Sequence, residues 1–453
     1  MDAEIWQQDS FLCHPLVNTA TLLLSRSSQE RFFELCGHLI HLIELGISGS
    51  EDKMKKLCIV ILALWLIVGC AGPGTVATPQ PAATATSVPA SVSAVAPTLE
   101  PYWPTPGWRT STPEQQGMDS ARLVRLLDAL AERKLNIHSL LIIRHGYLVA
   151  EVYYGSNSPD LKHELYSVTK SFTSALVGMA LHKGFINSVN QPVLDLLPNR
   201  QVANADARKK AVTLEHLLTM SSGLDWPESG NSYTTMDNPY LRMMRSPDWV
   251  QFALDRPMAQ QPGTTFNYNS GTSHLLSAIV QKTTRMSTLA FAQENLFKPL
   301  GITDIRWDAD PAGIAIGGSN LQLTPRDMAK FGYLYLKGGL WDGRQIVPAE
   351  WVKTSTTKQI KSNDAALDYG YQWWVYPDGS FAAHGLGGQY IFVRPQQDLV
   401  VVFTSWLSGD ETEQPPKLVE GFIIPAAPSS VFLPENPEAL TQLKARIEAA
   451  RAR

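Results

Sequence analysis

The chain has 453 residues, 44% of them apolar, and a formal net charge of −4. This length predicts one large domain or two modest ones, with enough apolar residues for a sizeable core. Lysines and arginines are scattered without a basic stripe, which disfavours nucleic-acid binding. All four cysteines lie before residue 71, so the rest of the chain excludes disulfides, cysteine-ligated zinc and a cysteine nucleophile.

The segment 54–70 has the pattern of a bacterial lipoprotein signal peptide. Met54 is followed by Lys55 and Lys56, and residues 57–68 form an apolar stretch that is short for a membrane span. Ile67-Val68-Gly69-Cys70 then resembles a lipobox, which implies cleavage before Cys70 and lipid attachment to its thiol. The alternative is a plain buried or membrane helix. The prediction is an exported lipoprotein, anchored to a membrane and facing the periplasm or the cell exterior.

Segments on both sides of this signal are predicted to lie outside the folded domain. Because export signals begin chains, we interpret Met54 as the initiator and residues 1–53 as a mis-assigned upstream extension; a genuine cytoplasmic extension is the alternative. Residues 71–105 are rich in Ala, Pro, Thr and Ser and cannot bury enough surface to offset chain entropy. They predict a disordered tether.

Elements of the main domain, residues 106–435, suggest an α+β fold within the α/β class. A capped helix over 119–134 precedes two strands around His145-Gly146, and short strands return after residue 370. The turns between these strands are only a few residues long, and turns of that length join antiparallel rather than parallel strands. The middle of the domain is mostly helical. The order predicts one antiparallel sheet built from both chain ends, flanked by helices and carrying a helical insert, with a helical tail over 436–453.

Ser167 and Lys170 begin one of the predicted helices. Ser-x-x-Lys alone is a weak signal, since the chain has three, but after this one Phe172, Ala175, Leu176, Met179 and Ala180 recur with helical spacing. The pair then lies on one side of the first turn, where backbone N–H groups favour negative charge. Apolar surroundings lower a lysine pKa, so a neutral Lys170 could activate Ser167 as a nucleophile. The alternative is an ordinary helix cap with a lysine that reaches solvent.

Two later segments carry further candidate residues. Tyr268, Asn269 and Ser270 follow a Pro-Gly turn and directly precede a predicted helix. The segment FAAHGLGGQYIFV has glycines at 385, 387 and 388, which let a ligand approach the backbone. Taken singly, each segment has an ordinary interpretation: Tyr268 as a core tyrosine, and the glycine-rich segment as a strand with a bulge.

Together the three segments resemble the serine beta-lactamase and penicillin-recognising superfamily. That superfamily carries Ser-x-x-Lys, Tyr-x-Asn and Lys-Thr-Gly in this order. The nearest likeness is to the class C beta-lactamase-related serine hydrolases, which include 6-aminohexanoate-dimer hydrolase. Further matching stretches include TLEHLLTMSSGLDW and LTPRDMAKFGYLYL. The resemblance implies a beta-lactamase/transpeptidase-like fold over about 106–435.

The resemblance also implies roles for individual residues. Ser167 would be the acylated nucleophile, Lys170 its base and Tyr268 a proton shuttle. Ser270 replaces the usual asparagine of the second motif, beside Asn269. Ala383-His384-Gly385 aligns with Lys-Thr-Gly on its glycine, so the Leu386 and Ser167 N–H groups would form the oxyanion hole. An alignment on the basic residue would instead use His384-Gly385-Leu386.

The resulting prediction is a serine hydrolase, an esterase or amidase without cofactor or metal. No lysine at the third motif would bind a substrate carboxylate, which disfavours efficient beta-lactam turnover. The alternatives are a D-Ala-D-Ala peptidase or weak beta-lactamase, and a catalytically silent binding protein on the same scaffold. Trp226, Tyr233 and Tyr240 are candidate cleft walls or ordinary packing residues. The predicted partners are a small ester or amide substrate and the membrane, with no nucleic acid.

Overall fold

The computed structural model describes residues 102–452. The predicted signal peptide, Cys70 and the tether as far as residue 101 lie outside this range. Within it, no helix has both the length and the apolar character needed to cross a membrane.

One eight-stranded antiparallel sheet forms the centre of the fold. Its strand order is β2-β1-β13-β12-β11-β10-β9-β8, beside a three-stranded sheet β3-β5-β4 and a two-stranded sheet β6-β7. The strands are β1 Ile137–Arg144, β2 Tyr147–Tyr153, β3 His163–Glu164, β4 Arg306–Trp307, β5 Leu321–Leu323, β6 Leu340–Trp341, β7 Arg344–Gln345, β8 Ile360–Lys361, β9 Asp368–Tyr369, β10 Trp374–Val375, β11 Phe381–Gly385, β12 Gln389–Arg394 and β13 Leu399–Ser405.

Helices fill the chain before, between and after these strands. The α-helices are α1 Ser120–Arg133, α2 Thr169–His182, α3 Val193–Leu196, α4 Ala207–Lys210, α5 Leu214–Leu218, α6 Pro239–Met244, α7 Trp249–Leu254, α8 Ser270–Thr284, α9 Thr288–Ala292, α10 Pro325–Leu336, α11 Ala349–Ser355, α12 Gln414–Leu418 and α13 Pro437–Ala450. A 3₁₀ turn, Tyr166–Val168, leads directly into α2.

The sheet separates two apolar cores. Side chains alternate along β1, so Leu141 and Ile143 face the core that contains α2 and α10. Leu140 and Ile142 face the other core, against α1 and α13. The architecture is therefore three layers, with the helical insert on one face of the sheet.

The predicted antiparallel sheet with a helical insert is confirmed. β1 pairs with β13, which joins strands from the two ends of the domain within one sheet. The predicted hairpin turn has positive φ at both residues, 51° at His145 and 81° at Gly146. Two positive φ angles match the right-handed twist of the flanking strands.

The packed domain extends beyond both predicted boundaries. At the start, residues 102–105 pack on the body rather than belonging to the tether: the Trp103 ring lies 5.6 Å from the Trp341 ring, and Trp341 Nε1 donates to Thr105 Oγ1 at 2.8 Å. At the end, α13 buries Leu443, and Arg446 pairs with Asp128 of α1. The predicted helical tail is thus part of one helical layer.

Helix α2 is buried on all sides over its first three turns, not only along the predicted apolar face. Two of its hydroxyls have buried carbonyl partners, whereas Ser174 Oγ has none within the described residues. Ser171 Oγ donates to the Gln372 carbonyl at 2.7 Å, and Thr173 Oγ1 donates to the Gly317 carbonyl at 2.8 Å. Because these polar side chains have buried partners, the helix that carries Lys170 lies at the centre of the domain, away from solvent.

Candidate active site

Ser167 lies in the 3₁₀ turn before α2, so the α-helix begins two residues after the serine. The preceding residue, Tyr166, has φ of 46°, a left-handed conformation that is costly for a residue with a Cβ. The Tyr166 ring packs 5.8 Å from the Trp406 ring. The backbone therefore turns sharply just before the candidate nucleophile.

Lys170 is buried, with 2% of its surface exposed. Its Nζ lies 3.0 Å from Ser167 Oγ, 3.1 Å from Ser270 Oγ and 2.9 Å from the Gly318 carbonyl oxygen. Burial lowers the pKa of Lys170 to about 8, and the negative charge of Glu228 acts in the opposite direction. The amine is therefore close to the candidate nucleophile and loses its proton near physiological pH.

Tyr268 is the third side chain beside Ser167 and Lys170. Its ring lies 4.8 Å from Lys170 Nζ, and its hydroxyl faces Ser167. Burial, reinforced by the charge of Glu228, raises the pKa of Tyr268 well above its usual value. The phenol is accordingly neutral at any physiological pH, so of the two candidate proton acceptors beside Ser167 the lysine is the available one.

Three stacked rings hold Tyr268 in place. The Tyr268 ring lies parallel to the Trp374 ring of β10 at 6.2 Å, and Trp374 stacks on His384 of β11 at 5.4 Å. Burial lowers the pKa of His384 to about 3, so its imidazole is neutral. The stack connects the loop before α8 to strands β10 and β11 of the sheet.

Asn269 and Ser270, the two residues after Tyr268, have different roles at the start of α8. Asn269 is 1% exposed, and its Oδ1 accepts from Thr272 N at 2.9 Å, so it caps the helix. Its Nδ2 has no hydrogen-bond partner within residues 102–452, so only the oxygen of this buried amide is engaged. Ser270, by contrast, reaches Lys170 as described above, in the place where the superfamily motif has an asparagine.

Glu228 is a functional candidate that the sequence analysis missed. Glu228 is 1% exposed, and Ser270 lies between its carboxylate and Lys170. It accepts hydrogen bonds from Ser270 N and Ser270 Oγ at 2.7 and 2.6 Å, from Trp226 Nε1 at 2.6 Å and from Tyr233 OH at 2.9 Å. An acidic residue in a Pro-Glu-Ser loop gives no local signal of such burial; only the fold brings it to a residue 42 positions further along the chain.

Trp226 and Tyr233, two of the candidate cleft-wall residues, lie in different surroundings. Trp226 is 1% exposed, so of its two predicted alternatives, cleft wall and packing residue, burial favours packing: its ring lies in the core while its N–H binds Glu228. Tyr233 is 37% exposed and packs edge-to-face on Tyr240 at 6.0 Å. Tyr233 thus has an accessible edge, and its hydroxyl points inward to Glu228.

The glycine-rich segment meets the nucleophile turn at the end of β11. A Cβ on Gly385 would lie 2.4 Å from the Leu165 carbonyl oxygen, so only glycine permits this approach. Leu386, the next residue, is 45% exposed, and its N–H donates no hydrogen bond within the part of the chain that the structure describes. The structure therefore brings the predicted oxyanion segment against the residues that lead into Ser167.

No other chemistry is built into the described residues around this group. Between residues 102 and 452, no three His, Cys, Asp or Glu side chains are grouped so that they could hold a metal ion. The site consists of a hydroxyl, an amine and a phenol in mutual contact, with one buried carboxylate behind them.

A family model described as beta-lactamase matches residues 123–418, which include every member of this group. The chain belongs to the beta-lactamase family. Members of this family are serine hydrolases, and the order of the three motifs in the chain agrees with that assignment. The resemblance inferred from the sequence is thereby confirmed.

Individual relatives of this beta-lactamase-family chain include hydrolases. It is 25% identical to a 6-aminohexanoate-dimer hydrolase from Paenarthrobacter ureafaciens, over 63% of this chain and 79% of that protein. It is 27% identical to esterase EstB from Burkholderia gladioli, over 45% of this chain and 57% of that protein. The fold is similar to that of a penicillin-binding protein homologue from Pyrococcus abyssi, with a TM-score of 0.56 and 22% identity over 70% of this chain and 79% of that one.

The contact at Gly385 generates a prediction for this beta-lactamase-family site. We expect Gly385→Ala to lower kcat/KM by roughly tenfold to a hundredfold, because its Cβ must push the Leu165 carbonyl and with it the Ser167 turn. Steady-state hydrolysis of a p-nitrophenyl ester measures the effect. Gly421→Ala is the matched control, since a Cβ there meets no atom within 4 Å. Equal activity in the two variants would contradict the positioning of Ser167 by β11.

Proposed function

We propose that this chain hydrolyses ester or amide bonds through an acyl-enzyme formed on Ser167. One observation carries the proposal: an amine whose pKa burial lowers to about 8 lies 3.0 Å from the Ser167 hydroxyl. An uncharged amine at that distance can accept the hydroxyl proton as the oxygen attacks a carbonyl. The hydrolase and esterase relatives support the same reaction class.

Acylation proceeds through three proton transfers. Ser167 Oγ bonds to the carbonyl carbon while its proton passes to Lys170, and the carbonyl electrons move to oxygen. When the tetrahedral intermediate collapses, the bond to the leaving group breaks. Tyr268 gives its proton to the departing alcohol or amine and recovers one from Lys170. Deacylation repeats the sequence with water as the nucleophile, which releases a carboxylic acid and restores Ser167.

The oxyanion of the tetrahedral intermediate would accept hydrogen bonds from the Leu386 and Ser167 N–H groups. The unpaired Leu386 N–H beside the Ser167 turn supports this assignment. Backbone donors fixed before the reaction stabilise developing charge without reorganisation.

The third motif favours substrates that lack a carboxylate next to the scissile bond. When the glycines of the third motif are aligned, His384 takes the place of the residue between the superfamily lysine and glycine. When the basic residues are aligned, it takes the place of the lysine. Its imidazole is neutral because burial lowers its pKa to about 3. A neutral ring under Trp374 offers no cation to a substrate carboxylate. Simple esters and amides therefore fit the site better than penicillins or D-Ala-D-Ala peptides do.

Covalent labelling tests the nucleophile. We expect a fluorophosphonate probe to label the wild-type protein on Ser167 and to leave Ser167→Ala unlabelled, because phosphonylation requires an activated hydroxyl. Mass spectrometry of the labelled peptide identifies the residue. Ser430→Ala, a change at an exposed serine, is the control and keeps full labelling. A wild-type protein that resists the probe would favour the silent binding protein instead.

The pH dependence tests the base. A neutral Lys170 is the active form, so kcat/KM is expected to rise by about tenfold per pH unit in acid and to level off above the lysine pKa of about 8. Initial rates on a p-nitrophenyl ester between pH 5.5 and pH 9.5, corrected for spontaneous hydrolysis, give the profile. A plateau that begins near the ordinary histidine pKa of ~6.5 would assign the base elsewhere.

We further propose that the enzyme works while anchored to a membrane through Cys70. The lipobox-like sequence and the apolar stretch before it support this, together with the Pro-rich tether that follows. Cys70→Ser is expected to move the protein from the membrane fraction to the soluble fraction of a bacterial host. Cys58→Ser, within the apolar stretch, is the matched control and leaves the membrane association unchanged. Equal membrane association of the two variants would contradict the lipid anchor.

A further inference from the structure

The buried Glu228 carboxylate has hydrogen-bond donors on both of its oxygens. Oε2 faces Trp226 Nε1 at 2.6 Å and Ser270 N at 2.7 Å. Both are N–H groups that donate and cannot accept. Oε1 faces two hydroxyls, Ser270 Oγ at 2.6 Å and Tyr233 OH at 2.9 Å. A carboxylate has no proton of its own to give, so both hydroxyls direct their protons to it.

This arrangement fixes which way Ser270 faces. A serine hydroxyl has one proton and two lone pairs. Since the proton is committed to Glu228, only the lone pairs of Ser270 Oγ remain for Lys170, whose Nζ lies 3.1 Å away. Ser270 must therefore accept a hydrogen bond from the lysine.

The same reasoning fixes the lone pair of the lysine. A neutral amine has two N–H bonds and one lone pair. One N–H is taken by the Gly318 carbonyl oxygen, which only accepts, at 2.9 Å, and the other by Ser270 Oγ. The remaining neighbour is Ser167 Oγ at 3.0 Å, so the lone pair faces the hydroxyl that must lose its proton.

We propose that Glu228 is a positioning residue that sets the direction of the hydrogen bonds from Ser167 through Lys170 to Ser270, so that the lone pair of the lysine faces the nucleophile. This inference rests on the proposed function, because it assigns a role within the acylation step. Glu228 touches neither substrate nor Ser167; it acts through the Ser270 hydroxyl.

The charge of Glu228 has a second effect on the same step. When Lys170 takes the serine proton it becomes a buried ammonium, and the nearby carboxylate stabilises that charge. Accordingly, Glu228 raises the pKa of Lys170 while burial, the larger effect, lowers it. The other titratable groups that face this pair are the phenols of Tyr268, Tyr233, Tyr240 and Tyr369, all with raised pKa values and therefore neutral.

The Glu228→Gln variant changes the hydrogen-bond direction and the charge while it keeps nearly the same side-chain shape. The amide oxygen must face the two obligate N–H donors, so the amide NH₂ faces Ser270 Oγ and donates to it. The Ser270 proton is then free to turn toward Lys170 and to occupy the lone pair of the amine. Loss of the negative charge also lowers the pKa of Lys170 further.

The test is the rate of fluorophosphonate labelling of Ser167 as a function of pH, in full-length protein. We expect Glu228→Gln to slow labelling at the plateau by about tenfold or more, the usual range for a disturbed proton transfer, and to move the acid midpoint below that of the wild type. Glu151→Gln is the matched control, because Glu151 likewise accepts from a tyrosine hydroxyl, that of Tyr153 at 2.7 Å, but lies in β2. It should label with the wild-type rate and midpoint.

A second pair of variants keeps the proposal testable if Glu228→Gln does not fold. Ser270→Ala removes the hydroxyl through which Glu228 acts and should slow labelling, while Ser270→Thr restores a hydroxyl and should recover most of the rate. If Glu228→Gln or Ser270→Ala labels with the wild-type rate and midpoint, the positioning role is overturned. If the wild type itself fails to label at Ser167, the acyl-enzyme proposal fails first, which is a different result.

Discussion

Burial of the Lys170 amine is the constraint on which the site depends. An exposed lysine would keep its proton at neutral pH and could not act as a base for a serine. Here the amine lies on a helix buried on all sides, and the approach of the 317–318 segment completes the enclosure. Glycine is required at position 317, where a Cβ would lie 2.1 Å from the Ser273 carbonyl oxygen, and a Cβ on Gly318 would lie within 3.2 Å of the Ser270 carbonyl oxygen.

The two parts of the fold meet at this amine, and each supplies part of its surroundings. The helical part provides Lys170, Ser270 and the carboxylate behind them. The sheet provides the end of β11 and the stacked rings of Trp374 and His384, which hold Tyr268 over the amine. Since β1 pairs with β13, strands from both ends of the domain must come together before the sheet that supports the site is complete.

Local patterns were sufficient to predict the sheet and the hairpin at His145-Gly146, whereas the group of Ser167, Lys170 and Tyr268 was predicted only with the family resemblance. Helical spacing identified the helix, and the resemblance supplied the distant tyrosine. Glu228 could not be predicted, because its role arises from contacts with residues that only the tertiary fold brings near. Trp226 was ambiguous for the same reason: an aromatic residue in a loop pattern suits a cleft wall and a core equally, and burial decides between them.

The most direct test of the account is the protonation state of Lys170, followed by NMR titration of its side-chain nitrogen with the signal assigned by comparison with Lys170→Arg. We expect a transition near the pKa of about 8, below the ordinary lysine value of ~10.4. A Lys170 signal that stays in the charged form up to pH 10 would contradict it, because no uncharged amine would then be present to take the Ser167 proton.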